Sequence, residues 1–246
     1  MPSFSRMAAT SMLLIAAIVP FATARTQARP AAADVIAKYV AAIGGKSELM
    51  KLTSIKQTAT VDVAAAGLSG NMEMQAAAPN KLLTKMTIPN MVEQQQGFDG
   101  AMAWEHSPQQ GARLLADQEL AEFKEEADFY GNLLYSADRY ASMETVGDTS
   151  ISGEKAYKLK LVSKMSGSES LKYFSASTGL LLLEVRKEGS QQVLEYKKFG
   201  PLMVPTKIVW QQGPMKLMVN VKEVLLNSVP ESAFAAPDQV RRLIKP

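Results

Sequence analysis

The chain has 246 residues, a formal net charge of +3 at pH 7, one histidine and no cysteine. This composition excludes disulfide bonds, zinc sites built from His and Cys, and Cys–His catalytic dyads. The charges are scattered and the only basic cluster is Arg241, Arg242 and Lys245, so the sequence carries no stripe for binding nucleic acid.

The first 24 residues have the pattern of a secretory signal peptide. Arg6 is their only charge, residues 12–19 form an apolar run that Pro20 ends, and small residues follow at 22–24. The run is shorter than the roughly 20 apolar residues that span a bilayer. We therefore expect cleavage before Arg25 and an exported, soluble chain in the periplasm or elsewhere in a bacterial envelope. An uncleaved N-terminal anchor is the alternative.

The mature chain is predicted to begin with an amphipathic helix over Ala33–Ile43. Its apolar side chains follow the i, i+3, i+4, i+7 spacing of one helix face and are Ile36, Tyr39, Val40 and Ile43. Gly44-Gly45 comes directly after them, as is typical of a helix C-terminus.

Most of the following chain alternates between apolar and polar residues, which is the pattern of strands in a half-buried sheet. The clearest run places Tyr157, Leu159 and Leu161 on one face and Lys158 and Lys160 on the other. The same alternation occurs over residues 59–63, 72–74 and 215–221.

Short turn signals separate about twelve candidate strands of about 6 to 10 residues each. They include Asp99-Gly100, Ser152-Gly153, Thr178-Gly179 and Gly213-Pro214. Connections this short join antiparallel neighbours, because parallel crossovers need a dozen or more residues. We therefore predict that residues 25–246 form one domain of the α+β class, mostly β, built on a curved antiparallel sheet.

A second helix is predicted to interrupt the strands over Asp117–Tyr135, with Asp117 as its N-cap. Its apolar side chains form one stripe and are Leu120, Phe123, Ala127, Tyr130 and Leu134. The glutamates between them are expected to face water. Gly131 predicts a weak point or break in the last turns. The predicted order is thus a helix, five or six strands, this helix, and six or seven strands.

Catalytic motifs are missing from the sequence. It contains no Walker A, no G-x-G-x-x-G and no G-x-S-x-G motif, and His106 is expected at the surface or rim near the end of a short strand. Ser152–Lys155 matches S-x-x-K in letters, but it lies in a predicted turn and strand and lacks the companion motifs. We therefore predict a protein that is not an enzyme and uses no metal or cofactor. A hydrolase that relies on carboxylates alone is a further alternative.

Methionine is frequent: of the 14 in the chain, Met1, Met7 and Met12 belong to the leader, which leaves 11. Several take the apolar phase of predicted strands, namely Met72, Met74, Met86, Met102 and Met215. Unbranched thioether side chains repack easily, so such surfaces suit variable apolar ligands. The alternative is that these methionines only fill a large curved core.

Short motifs across the whole mature chain resemble those of one family of exported proteins. They are Tyr39–Gly45, Phe98-Asp99-Gly100 before Ala103-Trp104, Gly153–Leu159, Tyr173-Phe174 before Thr178–Leu181, Pro205–Ile208, Asn227–Pro230 and Phe234. On these residues the sequence resembles the lipoprotein-carrier superfamily of LolA, LolB and LppX, and most closely its divergent branch of exported, outer-membrane lipoprotein-sorting-like proteins.

The resemblance implies an incomplete antiparallel barrel whose open side is covered by a few helices, with an apolar cavity between them. It also implies transport of acyl chains, other lipids or lipoproteins through an aqueous compartment. In the best-known carriers an arginine beneath the helical lid holds the closed state. Arg113 and Arg139 bracket the second helix here, but neither lies in a motif that assigns this role.

We therefore predict a site for an apolar ligand between the sheet and a lid formed by the second helix. Its expected lining residues are Met72, Met74, Met86 and Trp104 from the sheet and Phe123, Tyr130 and Leu134 from the helix. The expected ligand is a lipid, an acyl chain or a lipoprotein, and an envelope protein is an expected partner. The alternative is a non-enzymatic interaction module of the envelope with the same sheet and a filled core.

Overall fold

The computed structural model describes residues 29–243. The predicted leader at 1–24 and the cleavage site before Arg25 lie outside the described residues. Between residues 29 and 243 no helix has the length and apolar character needed to cross a membrane.

Thirteen strands within the described residues form a single antiparallel sheet. The first six are β1 (Ser54–Val63), β2 (Leu68–Ala77), β3 (Lys81–Ile88), β4 (Val92–Phe98), β5 (Ala103–Ser107) and β6 (Gly111–Leu114). The other seven are β7 (Tyr140–Ile151), β8 (Glu154–Ser163), β9 (Glu169–Ser175), β10 (Leu181–Val185), β11 (Ser190–Phe199), β12 (Leu202–Gln212) and β13 (Met215–Leu226). The sequence predicted about twelve strands in an antiparallel sheet. The sheet and its antiparallel pairing are confirmed.

The sheet consists of two meanders joined at its centre. Its order is β6-β5-β4-β3-β2-β1-β13-β12-β11-β10-β9-β8-β7, so the first and last strands of the chain pair with each other. The edge strands β6 and β7 are consecutive in the chain but lie at opposite ends of the sheet. The sheet is therefore open, and the segment between β6 and β7 has to cross from one edge to the other.

Five α-helices occur in the described part of the chain. They are α1 (Ala32–Ala42), α2 (Lys46–Leu49), α3 (Asp117–Ala127), α4 (Phe129–Leu134) and α5 (Asp238–Arg241). Side chains of α1, α3 and α4, and Leu49 of α2, pack on one face of the sheet. We call this the covered face. The helix predicted over Ala33–Ile43 is α1, and the predicted second helix corresponds to α3 and α4.

The second helix differs from its prediction in where it begins and where it breaks. The N-cap of α3 is Ala116, and no side chain caps it, so the assignment of Asp117 as the N-cap was wrong. The break falls at Asp128, whose carboxylate accepts a hydrogen bond from the Gly131 amide (3.0 Å) and caps α4. A Cβ at Gly131 would overlap the carboxylate of Asp128 and the side chain of Arg139, which lie 3.0 Å apart as an ion pair. This glycine therefore leaves room for the ion pair that follows the break.

The alternation predicted for β8 is found, with α1 covering its apolar side. Leu159 and Leu161 are buried and pack with Ile36 of α1 and with Phe174 of β9, while Tyr157 is half-buried. The lysines between them are partly exposed: Lys158 lies over the ring of Tyr173, and the ammonium of Lys160 is 2.8 Å from Glu169.

Leu159→Ala should lower the free energy of unfolding by about 2 to 5 kcal/mol, because a fully buried leucine is removed from a packed cluster. Lys158→Ala, on the other side of the same strand, should cost less than about 1 kcal/mol, the loss of a partly exposed contact with an aromatic ring. Urea unfolding followed by circular dichroism measures both. Equal losses in the two variants would contradict the observed strand phase.

The C-terminal segment packs on the opposite face of the sheet. Phe234, Ala236 and Val240 are buried there against Leu83 and Trp104. Residues 234–240 thus dock on the sheet.

Candidate ligand-binding site

The sheet residues predicted to bind ligand do not all lie on one face. Met72, Met74 and Met86 are on the covered face, where Met72 and Met86 are direct cross-strand partners. Trp104 is on the opposite face, because its neighbour Ala103 packs with Phe123 whereas Trp104 packs with Phe234. Trp104 therefore lies away from the helical lid, beneath the C-terminal segment.

The space beneath the middle of α3 is filled by side chains. Phe123 is 7% exposed and packs with Leu82, Phe98 and Leu115. Met74 is half-buried at the margin of this cluster, and it is the methionine of the predicted set that lies against the lid. The ring of Phe123 therefore contacts protein side chains.

The remaining predicted lid residues, Tyr130 and Leu134, lie against another part of the sheet. Both are half-buried beside a cluster that contains Leu49, Phe129 and Leu202. The hydroxyl of Tyr130 donates a hydrogen bond to the carbonyl oxygen of Leu52 (2.9 Å). The predicted lid residues therefore contact the sheet in two clusters. Phe123 lies in one, and Tyr130 and Leu134 lie in the other.

A part of the covered face beyond the helices carries apolar side chains that are only partly buried. We call it the apolar trough, and it consists of Leu68, Met72, Met86, Val92, Ile208, Trp210, Met215 and Val221. Its floor is buried and is formed by Ala59, Val61, Val63, Ile88, Leu217 and Val219. Within residues 29–243 every member of this cluster lies on a strand. The trough is therefore lined by the sheet alone.

Trp210 is one of the trough residues that the predicted lining set does not include. It follows Ile208 by two positions and faces Leu217 across the hairpin between β12 and β13. With a two-residue turn at Gly213-Pro214, position 210 lies opposite position 217. The alternation over residues 215–221 therefore predicts that Trp210 is on the same face as Leu217. The sequence therefore contains the signal that places Trp210 on this face.

The carboxylates of α3 are not simply solvated, as the sequence analysis expected. At the β6 edge, Glu119 accepts a hydrogen bond from Arg113 (2.6 Å), which also donates to Glu105 of β5 (2.8 Å). The hydrogen bond from Arg113 lowers the pKa of Glu119. Arg113 thus ties the beginning of α3 to one end of the sheet.

The other glutamates of α3 contact turns from the second meander. Glu122 accepts a hydrogen bond from the hydroxyl of Ser168 (2.8 Å), and Glu125 accepts hydrogen bonds from the amide (3.2 Å) and hydroxyl (3.1 Å) of Ser166. Both serines lie in the connection between β8 and β9. The helix therefore bridges from the β6 side of the open sheet to the β7 side, and its polar face holds it there.

A buried ion pair lies on the covered face near the end of α4. The ammonium of Lys172 on β9 is 2.5 Å from the carboxylate of Glu184 on β10, and both residues are buried. Glu184 also accepts a hydrogen bond from Arg186 (2.6 Å), whose other end reaches Glu126 of α3 (3.4 Å). Burial alone would raise the pKa of Glu184, but the charges of Lys172 and Arg186 lower it to about 2.

The lid also contacts this ion pair through an aromatic ring. The ring centroid of Tyr135, the residue that ends α4, is 5.0 Å from the ammonium of Lys172. Tyr135 in turn packs against Tyr39 of α1 and Phe174 of β9. Charged and aromatic side chains therefore join the lid to the sheet at its β9–β10 side.

Arg139, the second arginine that brackets the lid, acts within the lid segment. It pairs with Asp128 and donates a hydrogen bond to the carbonyl oxygen of Glu125 (3.0 Å). It therefore fixes the bend between α3 and α4.

Clefts with mixed or polar linings also occur in the described part of the chain. One of about 340 Å³ is lined by Thr58, Thr60, Glu73 and Lys85 together with Ala59 and Met72, and one of about 360 Å³ lies beside Lys81 and Phe234. Between residues 29 and 243 no group of three or more His, Asp or Glu side chains is placed to hold a metal ion. The apolar trough is thus the feature whose chemistry suits an apolar ligand.

Solved structures share the fold. A LolA superfamily protein from Nitrosomonas europaea has a TM-score of 0.58 and 13% identity over 85% of this chain and 99% of its own. A DUF1329 family protein from Desulfovibrio piger has a TM-score of 0.57 and 10% identity, with 83% of this chain and 95% of that chain covered. A putative outer membrane lipoprotein-sorting protein domain from Vibrio parahaemolyticus has a TM-score of 0.52 and 11% identity, with 81% and 97% covered.

The chain therefore has a LolA-like fold, and the resemblance in its sequence motifs is confirmed at the level of the fold. No protein-family model matches the sequence, and no curated protein matches it.

Proposed function

We propose that this protein is an exported carrier that binds the acyl chain of a lipid in the apolar trough, next to the helical lid. The observation that carries the proposal is a group of half-buried methionines and a tryptophan, Met72, Met86, Met215 and Trp210, on a part of the covered face lined by strands. The names of the similar structures, a LolA superfamily protein and a lipoprotein-sorting domain, support it.

Burial of the acyl chain supplies the binding energy. Each methylene removed from water contributes about 0.8 kcal/mol, so a chain of about a dozen carbons would gain roughly 10 kcal/mol before the cost of ordering it. The methionine side chains adjust to chains of different shape because they are unbranched. A longer ligand would reach Met74 and then Phe123, and it would enter further only if α3 moved.

The competing function is an interaction module of the envelope with a filled core. It is favoured by the packing beneath α3, where Phe123 is buried among protein side chains. In that case the trough would be a surface for a protein partner, and the lid would stay closed.

Met86→Asp should weaken the binding of a fluorescent fatty acid by at least about tenfold, because it places a charge where the chain would lie and each factor of ten is about 1.4 kcal/mol. Fluorescence titration measures the affinity. Mass spectrometry of organic extracts from gently purified wild-type protein tests whether lipid is already bound.

The matched control is Met218→Asp, since Met218 is a half-buried methionine that follows the trough-floor residue Leu217 and points to the opposite face. It should leave the affinity within about twofold of wild type, and the melting temperatures of both variants show whether they fold. A wild-type protein that binds none of several acyl probes and releases no lipid would refute the carrier and favour the interaction module.

A further inference from the structure

The two tryptophans of the chain share an unusual feature and differ in their surroundings. The indole nitrogen of each, Nε1, is buried and has no hydrogen-bond partner among residues 29–243. Trp104 is 1% exposed and sits in the packed core beneath the C-terminal segment. Trp210 is half-buried in the apolar trough.

An unpaired buried donor destabilises the folded chain, and this cost is recovered only when an acceptor reaches it. For Trp210 such an acceptor has a route, because the trough side chains are partly exposed and include methionines that repack easily. For Trp104 the surrounding core leaves no comparable route. The indole N–H of Trp210 is therefore a donor positioned for a ligand.

The lining around Trp210 limits which acceptor fits. The apolar cluster around it, which is the trough and its floor, consists of Ala, Val, Leu, Ile, Met and Trp side chains. The nearest cross-strand partners of Trp210 are Gln191 and Leu217, which are also uncharged. Since a buried carboxylate needs a cationic partner, this lining favours a neutral acceptor over an ionised headgroup.

We infer that Trp210 donates a hydrogen bond to the neutral carbonyl of an acyl chain in ester or amide linkage, and so selects acylated molecules over free fatty acids. This inference rests on the proposed carrier function and names the class of ligand for the same trough. The acyl carbonyl is the recognised group, and the hydrocarbon chain lies over Met72, Met86 and Met215.

The test compares probes of equal chain length in the wild type and in Trp210→Phe: methyl palmitate, N-methyl palmitamide, palmitate and heptadecane. Trp210→Phe keeps an aromatic ring and removes the donor. It should weaken the ester and amide by roughly threefold to tenfold, the worth of one hydrogen bond, and leave the alkane unchanged. Comparing the ester with the amide shows which linkage is preferred, and palmitate should bind the wild type more weakly than either.

Single-tryptophan variants provide an independent readout and the matched control. Trp104→Phe retains Trp210, and its fluorescence should shift when the ester binds. Trp210→Phe retains Trp104, and its fluorescence should not shift. Equal affinities for all probes in wild type and Trp210→Phe, with no shift in Trp104→Phe, would overturn this inference while leaving the carrier function intact. Failure of every probe to bind the wild type would refute the carrier function itself.

Discussion

Replacing Glu184 by glutamine should lower the free energy of unfolding by about 3 to 5 kcal/mol, the usual cost of breaking a buried ion pair from one side. Glu184 is 2.5 Å from the ammonium of Lys172, and both side chains are buried between the sheet and the lid. Glutamine has the same shape but no charge, so Lys172 would remain buried with no anionic partner at this distance. Urea unfolding of the two proteins at pH 7 measures the difference.

The control variant is Lys172→Met, which removes the buried cation and leaves Glu184 paired with Arg186 at 2.6 Å. It should cost clearly less than Glu184→Gln, and the double variant should be more stable than Glu184→Gln alone. A loss below about 1 kcal/mol in Glu184→Gln would place this pair among solvent-exposed ion pairs and contradict its burial.

The same carboxylate gives the stability a pH dependence of defined sign. The pKa of Glu184 is lowered from its usual 4.5 to about 2 in the folded chain. Its contribution is therefore present above the unfolded value and is lost as the pH falls towards 2, because the unfolded chain takes up the proton first. Glu184→Gln should flatten this part of the stability profile.

Much of the fold follows from the sequence because it depends on local patterns. Turn residues at Ser152-Gly153 and Gly213-Pro214 and the alternation over 157–161 are enough to predict antiparallel hairpins. Hairpins, however, fix only which consecutive strands pair. The pairing of β1 with β13 joins residues more than 150 positions apart, and the resemblance to a known family, rather than any local pattern, implied the resulting open barrel.

The contacts of the site were less predictable because they depend on register between distant segments. The sequence analysis assigns no role to Lys172 and Glu184, which form a buried pair because they face each other across β9 and β10. Trp104 follows Ala103 in an apolar stretch, so its face cannot be assigned without knowing that Phe234 covers it. The glutamates of α3 were read as solvated because their serine and arginine partners lie on other elements.

The helices cover only part of the covered face. Helices cover the sheet near Leu159, near Leu202 and near Phe98, and they leave the trough around Met72 and Met86 to the strands. A carrier with this arrangement would take its ligand at the trough first. An opening of α3 would then require breaking the contacts of Phe123 together with the polar contacts at both ends of the helix.

Phe123→Ala should accordingly lower the free energy of unfolding by about 3 to 5 kcal/mol, the usual cost of removing a buried aromatic ring from a core. The ring is 7% exposed and packs with Leu82, Phe98 and Leu115, so its removal would leave a cavity between lid and sheet. Leu120→Ala, a half-buried position on the same helix, should cost less and serves as the control. Urea unfolding measures both variants. A loss below about 1 kcal/mol for Phe123→Ala would mean that the ring contributes little to the protein core, and the proposed ligand site would then have to extend from the trough to the space beneath α3.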